Sequence, residues 1–496
     1  VNLQSYLTSI TRRRFLTGTL AATGAYLVGN SHALASSSSR PLPPLPLKTG
    51  AKVMAIGHSF VANSGYTVIY PGSPTPRIDT VTANWLGTIG PLRNIDNRFN
   101  LDCWYDPKVP TAAAPTARLA GAISGRGGEH MPQTLARLPW CLERQPDIVL
   151  LDIATNDIAS DKLTLEKAVE RYEALLKPLR EAGIWVVCLL PVDRIGKTKG
   201  TWAAEDARHT LNSGLTEYLV SIGSREGVRV VDDRDVLAKA IQQGIAITED
   251  GVHLNTDGQW LRYSVLLPIL RDMVMEGDFY SRDVKLANLS PLGGFSGGAG
   301  KRSGVTGAVA DGLVARRGSG QNDTIIGSKE PLADGVERQV FTITPADNAN
   351  DSRVCTLTLS WADMDFEKLG LVEGDWVEAG LDYELSASNS WLGLEFSLEA
   401  NSRPATCRYS AVGGMVVRLN TTQDGPRLTT PLSGRATIPR FKLLGTDDVA
   451  APADYFRTSL RPIRLHWNKN ATETLVAKFS PFIIRKSTDP RPAWNL

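Results

Sequence analysis

The sequence predicts a chain of two structural classes. Residues 48–285 read as an α/β domain built on a parallel sheet, and residues 286–496 as an antiparallel β-sandwich. Three observations carry this. The chain has 496 residues, about three times a typical domain, so two or three cores are expected. From Lys48 to about Arg282, short continuous apolar runs alternate with stretches of helical period, the pattern of strands buried on both faces and crossover helices. From about Leu289 the pattern becomes strict alternation with period two, and no helical pattern appears.

The first segment stands apart. Residues 11–17 read Thr-Arg-Arg-Arg-Phe-Leu-Thr. A mildly apolar stretch follows to Gly29, then Ala33-Leu34-Ala35. Basic, apolar, small is the order of an export signal, and the motif resembles the twin-arginine consensus. Residues 1–35 are therefore expected to be a signal cleaved near Ala35. Residues 36–47, with Ser36–Ser39 and Pro41, Pro43, Pro44 and Pro46, are expected to be a linker. No other segment is long and apolar enough to span a bilayer. The expected localisation is periplasmic or extracellular, without stable membrane insertion once the signal is removed.

In the α/β half the strand candidates are Val53–Ile56, Ile148–Leu151, Ile184–Leu190 and Val228–Val231. Between them, residues 163–179 place Leu163, Ala168, Tyr172, Leu175, Leu176 and Leu179 at helical spacing, and Gly183 punctuates the end. Residues 206–218 repeat the pattern, and after His253-Leu254-Asn255 a further amphipathic helix runs through Leu270. In the β half, Cys355, Leu357, Leu359 and Trp361 alternate with small polar residues, as do Leu392, Leu394, Phe396 and Leu398. Val340–Thr344, Gly414–Leu419 and Phe482–Ile484 add strand candidates. The parallel sheet is complete before Leu289, so a piece from about Ser36 to Leu286 is expected to work alone on a small substrate.

Composition narrows the function. There are 54 basic and 52 acidic side chains, a net charge of +2. Without residues 1–35, which hold three arginines and no acid, the balance is 51 against 52, or −1. Such a chain has no bulk attraction to nucleic acid or an anionic membrane. Five cysteines are too few for a disulfide scaffold. Cys188 falls in an apolar run and reads as a core thiol. Whether Cys355 and Cys407 bridge is left open by the sequence. No Cys, His or carboxylate cluster has ligand spacing, so neither a metal nor a cofactor is expected.

Four short segments carry the chemistry. Ser59, in Gly57-His58-Ser59-Phe60, directly follows the first strand. Ligands of open α/β sheets bind beyond strand C-termini, so Ser59 is a candidate nucleophile. It is not the Gly-x-Ser-x-Gly elbow, because Val61 follows Phe60. Asp250-Gly251-Val252-His253 supplies a base and the acid that orients it. Asn156, in Ala154-Thr155-Asn156-Asp157, sits at another strand end, where its amide can donate to an oxyanion. Gly125, in Ile123-Ser124-Gly125-Arg126, can offer a backbone N–H to the same hole.

These four segments, in this order and spacing, resemble the SGNH (GDSL-type) hydrolase family over roughly Lys48 to Met275. The resemblance implies a flavodoxin-like three-layer α/β/α fold and serine hydrolase chemistry. It implies Ser59 as nucleophile, His253 as base and Asp250 as its orienter. The implied oxyanion hole is Ser59 N–H, Gly125 N–H and the Asn156 side chain. Two positions depart from the family pattern: His58 stands where Asp is usual, and Ala154 where Gly is usual. The Gly-rich opening of the β half, with Gly-Gly-Phe-Ser-Gly-Gly-Ala-Gly, is similar to jelly-roll modules that resemble carbohydrate-binding modules.

The expected function is therefore an exported serine esterase (a carbohydrate esterase or deacetylase) acting on an O-acyl, foremost O-acetyl, group of a carbohydrate or polysaccharide. The competing readings are a lipase, lysophospholipase or thioesterase with the same triad, and a catalytically weak sugar-binding protein. Arg126 and His130 are either cleft residues or solvated loop residues. Trp361 shares a face with Leu357 and Leu359 and belongs to the core. Trp376 and Trp391, beside polar turns, are open to either reading: core, or a platform that stacks on sugar rings. The expected partner is an acylated carbohydrate or other small ester, not nucleic acid.

Overall fold

The computed structural model describes residues 40–62, 81–82, 87–102, 117–120, 122–160, 162–194, 201–248, 250–283, 286, 288–290, 294–332, 335–347, 354–361, 368–372, 374–401, 408–413, 430–442 and 463–494. The expected signal, residues 1–35, lies outside them. So do Cys407, with any pairing to Cys355, and the strand expected at Gly414–Leu419.

The apolar runs of the first half become one sheet. β1 (Ala51–Gly57), β2 (Ala117–Ala120), β3 (Ile123–Arg126), β4 (Ile148–Asp152), β5 (Trp185–Leu189) and β6 (Val228–Val231) lie in the order β2-β3-β1-β4-β5-β6. All neighbours are parallel except β2 and β3. Val53, Met54, Ala55 and Ile56 of β1 and Ile148 to Leu151 of β4 are fully buried, which is why these strands read as continuous apolar runs. The register sets Gly57 beside both Gly125 and Asp152. From β1 the sheet grows toward β3 on one side, and from β4 toward β5 on the other. The crevice at this reversal is where such sheets hold ligands.

Helices cover the sheet in two groups. α3 (Met131–Glu143), α5 (Leu165–Glu181) and α6 (Ala207–Ser221) pack side by side, as do α2 (Gly90–Ile95), α8 (Thr256–Met273) and α7 (Arg234–Gln242). Three of these helices, α5, α6 and α8, start where a cap side chain satisfies an otherwise unpaired N–H. Thr164 accepts from Lys167 N at 3.3 Å, Asp206 from Arg208 N at 2.9 Å, and Asn255 from Gly258 N at 2.9 Å. The helix expected to follow His253 is thus started by its own next-but-one residue. No helix among the described residues is long and apolar enough to cross a membrane.

The second half is a sandwich of two mostly antiparallel sheets. One contains β9 (Thr324–Pro331), β10 (Glu337–Thr344), β12 (Trp376–Leu385), β15 (Leu432–Lys442), β17 (Leu475–Phe479) and β18 (Ile483–Ser487). The other contains β7 (Ala299–Ser303), β8 (Val309–Arg317), β11 (Val354–Trp361), β13 (Trp391–Asn401), β14 (Arg408–Gly413) and β16 (Ile463–Asn468). Cys355, Leu357, Leu359 and Trp361 all face inward. Phe482 holds its ring against Phe295, Trp361 and Phe396 at 5.1–6.0 Å between centroids.

This packing corrects the platform reading of two tryptophans. Trp391 is wholly buried and its Nε1–H donates to Ser386 O at 3.0 Å. Trp376 is buried as well. A ring enclosed by protein offers no face to a sugar. Both sit at strand starts beside polar turns, as expected, but burial is set by the facing sheet and not by sequence neighbours.

The two halves share one seam. Residues 39–496 form a single compact unit. Asp102, fully buried, accepts Tyr280 Oη–H at 2.6 Å and faces Arg440 of β15, whose Nε is 3.6 Å from its other oxygen. β15 also packs on α2, whose Leu92 and Ile95 are buried. Trp494 is buried under Lys52, which donates to Ala493 O at 3.2 Å. Residues 40–47, expected as linker, run along the α/β half: Trp185 Nε1–H donates to Pro43 O at 2.9 Å, and Leu47 exchanges backbone bonds with Met273 and Met275.

Candidate active site

β1 ends in a turn that only glycine permits. A Cβ on Gly57 would meet Asp152 O at 1.9 Å, and one on Gly125 would meet Ala62 N at 2.4 Å. These two close approaches let α1 (Ser59–Ala62) settle between β1 and β3. Ala62 N–H donates to His58 O at 2.9 Å and closes the turn. Ser59, at its first position, is left half-exposed at the strand end.

His253 reaches Ser59 from the loop before α8. Its Nε2 is 2.9 Å from Ser59 Oγ and its Nδ1 is 2.8 Å from Asp250 Oδ2. The other carboxylate oxygen accepts the N–H groups of Val252, at 2.9 Å, and His253, at 2.8 Å. Burial is the largest influence on Asp250 and opposes its charge. The hydrogen bonds from the His253 ring, His253 N–H and Val252 N–H outweigh it and hold the carboxyl at about 2. An ionised Asp250 fixes the proton on Nδ1, so Nε2 presents a lone pair to the serine hydroxyl. The spacing that joined Asp250 to His253 in the sequence thus becomes one hydrogen-bonded turn.

Asn156 stands across the crevice. β4 ends at Asp152, and Ala154 then adopts φ +89°, a conformation costing a non-glycine residue about 1–3 kcal/mol. This is the position where the resemblance leads one to expect glycine. The bend starts α4 (Thr155–Ser160). Asn156 Nδ2 donates to Glu129 O at 2.9 Å, which spends one of its two N–H groups. Glu129 is buried and held by Arg137, whose Nε donates at 3.0 Å. Arg137 also bonds Ser124 Oγ and reaches Gly57 O at 3.3 Å. One guanidinium thereby ties the ends of β1 and β3 to the loop that holds Asn156. Asp157, wholly buried, accepts Met131 N–H at 3.0 Å and pairs with Arg171 at 2.9 Å.

His58, where the resemblance expects Asp, is wholly buried and neutral. Burial first, then the nearby His253, Arg262, Arg194 and His130, push its pKa down to about 3. Its Nδ1 accepts Phe60 N–H at 3.4 Å. Phe60 stands edge-on to both His58, at 4.8 Å, and His253, at 5.3 Å. Beneath them Arg262 donates to Asp233 at 2.6 Å and to Leu190 O at 2.7 Å, and lies 3.7 Å from Asp152. Thr88 donates to Asp152 at 2.8 Å. Ion pairs this dry bind the ends of β4 and β5 to the segment after β6.

Ser59, Gly125, Asn156, Asp250 and His253 therefore gather at one end of the sheet. Arg126 is half-exposed at the end of β3. His130 caps α3, its N–H donating to Gln133 Oε1 at 2.8 Å. Sequence reading missed Arg137, Arg194 and Arg262, because arginines scattered along helices and loops carry no motif. The one available signal was acidic residues at strand ends, Asp152 and Asp233, which need cations if buried.

A cavity of about 510 Å³ lies elsewhere, at the seam, where Asp96, Arg271, Arg282 and Asp382 line it. Its charges pair with one another: Arg271 with Asp96 at 2.8 Å and Arg282 with Asp382 at 3.2 Å. It lies by the start of β1, away from Ser59.

Comparison with known proteins bears on the α/β half. Residues 55–261 match the GDSL-like Lipase/Acylhydrolase family. Among solved structures, an acetylxylan esterase from Geobacillus stearothermophilus is 14% identical, covering 47% of this chain and 100% of that one, with a TM-score of 0.34. An α/β hydrolase from the metagenome of Lake Arreo is 16% identical, covering 46% of this chain and 99% of that one, with a TM-score of 0.33. No curated protein matches. The segment that matches this family of acylhydrolases contains Ser59, Gly125, Asn156, Asp250 and His253.

Proposed function

We propose that this protein is an exported serine esterase that removes an O-acyl group, foremost O-acetyl, from a carbohydrate. The observation that carries the proposal is the continuous hydrogen-bond chain Ser59–His253–Asp250 at the crevice of the sheet. Ser59 Oγ attacks the ester carbonyl as His253 Nε2 takes its proton. The carbonyl oxygen becomes an oxyanion beside Ser59 N–H, Gly125 N–H and the Asn156 amide. Collapse breaks the bond to the sugar oxygen, which takes the proton from Nε2 and leaves as the sugar hydroxyl. Water then attacks the acyl-serine by the same route and releases the carboxylic acid. Asp250 keeps its negative charge throughout and stabilises the transient imidazolium.

Export rests on Arg12, Arg13 and Arg14 ahead of Phe15-Leu16, and an exported esterase meets extracellular sugars. The motif-bearing segments carry no strongly apolar lid sequence, which favours a short acyl group. A series of p-nitrophenyl esters tests this. The expected result is that kcat/KM is highest for acetate and falls with chain length, and that acetate is released from an acetylated polysaccharide. A preference for laurate would instead support the lipase reading.

Asn156→Ala tests the oxyanion hole. The amide acts mainly on charge that exists in the transition state, so kcat is expected to fall by roughly a hundredfold to a thousandfold with little change in KM. A change confined to KM would make Asn156 a substrate-binding residue.

A further inference from the structure

We propose that Arg194, with Arg126, receives a carboxylate of the substrate, so that the acylated sugar is an acidic one such as an O-acetylated uronic acid. This rests on the esterase reading above and names its substrate class.

Arg194 follows β5 at the catalytic end of the sheet. Its Nη2 donates at 3.5 Å to Thr155 O, one residue before Asn156. Its guanidinium lies 5.2 Å from the ring of Trp202, which is buried. Arg208 holds the same ring at 5.1 Å, but its charge is met by Asp206, which its Nε reaches at 2.8 Å. Among the described residues no carboxylate lies within 4 Å of Arg194, and its Nε is buried without a hydrogen bond.

The neighbouring acids are engaged elsewhere. Asp250 serves His253, Asp152 lies by Arg262 and accepts from Thr88, and Asp193 faces His209 at 2.7 Å. Burial lowers the pKa of Arg194, Arg208 lowers it further, and Asp250 raises it. A half-buried cation with no carboxylate beside it among the described residues has charge left for an anionic ligand to meet. Arginine's planar fork suits a carboxylate.

Arg126 supplies a second cation at the end of β3. It directly follows Gly125, and among the described residues it has no ion-pair partner. Gly127 and Gly128 come next, both exposed, with nothing within 4 Å of where a Cβ would stand. Glu129 O then accepts from Asn156. The loops bearing Arg126 and Arg194 are thus both tied to the turn 154–156 that presents Asn156.

The test compares two substrates with the same acetyl groups: an O-acetylated oligogalacturonide, and that oligomer with its carboxyls methyl-esterified. In the wild-type protein kcat/KM is expected to favour the acidic form, and the preference to shrink as salt is raised. In Arg194→Gln the acidic-to-neutral ratio is expected to fall about ten- to a hundredfold, the range for a charged hydrogen-bonding partner. Arg194→Lys should restore part of it, and Arg126→Gln should lower it less. A ratio equal in wild type and Arg194→Gln overturns the carboxylate role and leaves the esterase intact. If neither sugar is cleaved while p-nitrophenyl acetate still is, the acidic-sugar class is wrong. If no ester is turned over at all, the esterase reading fails with it.

Discussion

Ser59→Ala is expected to lower ester turnover by roughly a thousandfold or more while leaving the fold intact. The serine hydroxyl makes one hydrogen bond that matters here, to His253 Nε2 at 2.9 Å, and Ser59 is half-exposed. Losing such a bond costs about 1 kcal/mol of stability. The Asp250–His253 pair and the glycines that seat α1 are untouched. Losing the nucleophile leaves only what the oxyanion hole and binding supply. Steady-state hydrolysis of p-nitrophenyl acetate, alongside a thermal melt, checks both halves of the statement. A variant that turns over like wild type would move the nucleophile elsewhere. One that loses activity with a collapsed melting curve would show Ser59 to be structural.

The second large effect concerns the β half. A piece ending near Leu286 was expected from the sequence to remain active on a small ester. The seam changes that expectation. Cutting there removes Arg440 from Asp102, whose pKa burial already raises against the charge of Arg440. It uncovers the face of α2 on which β15 packs, and it takes Trp494 and Ala493 from Lys52. Any one such loss is commonly worth about 1–3 kcal/mol, against a typical total of about 5–15. The piece from about Ser36 to Leu286 alone is therefore expected to melt far lower than the whole protein, or not to fold. Activity on p-nitrophenyl acetate and on an acetylated polysaccharide should fall together. A truncated protein with full small-ester activity and a melting point within a few degrees would show the β half to be an appended module after all.

The parts legible in the sequence were those with local causes. Val53–Ile56, Ile148–Leu151 and Ile184–Leu190 are apolar because both faces of the sheet are covered, and Val228–Val231 forms a strand with those bounds. The helix expected over 163–179 runs Leu165–Glu181, stopping just before Gly183 at φ +70°. Asp250 and His253 lie three residues apart, so their contact was nearly written in the spacing. What escaped was set by distant pairing. β2 has no apolar run and exists because β3 gives it an antiparallel neighbour. Trp376 and Trp391 could not be turned inward or outward without knowing which sheet faces them. Arg137, Arg194 and Arg262 are brought to the site from three different elements. Residues 40–47, rich in proline, looked like linker but are bound through Pro43 O and Leu47.

The most direct measurement is the site of covalent capture. A fluorophosphonate reacts with a serine only when a neighbouring base activates it and a hole receives the developing charge. Intact-mass and peptide analysis of the treated full-length protein should show one adduct, on Ser59, formed in step with loss of esterase activity. The adduct should be absent in Ser59→Ala and form much more slowly in His253→Ala. An adduct on another serine, or complete labelling of the protein with its esterase activity retained, would contradict the assignment of Ser59, His253 and Asp250.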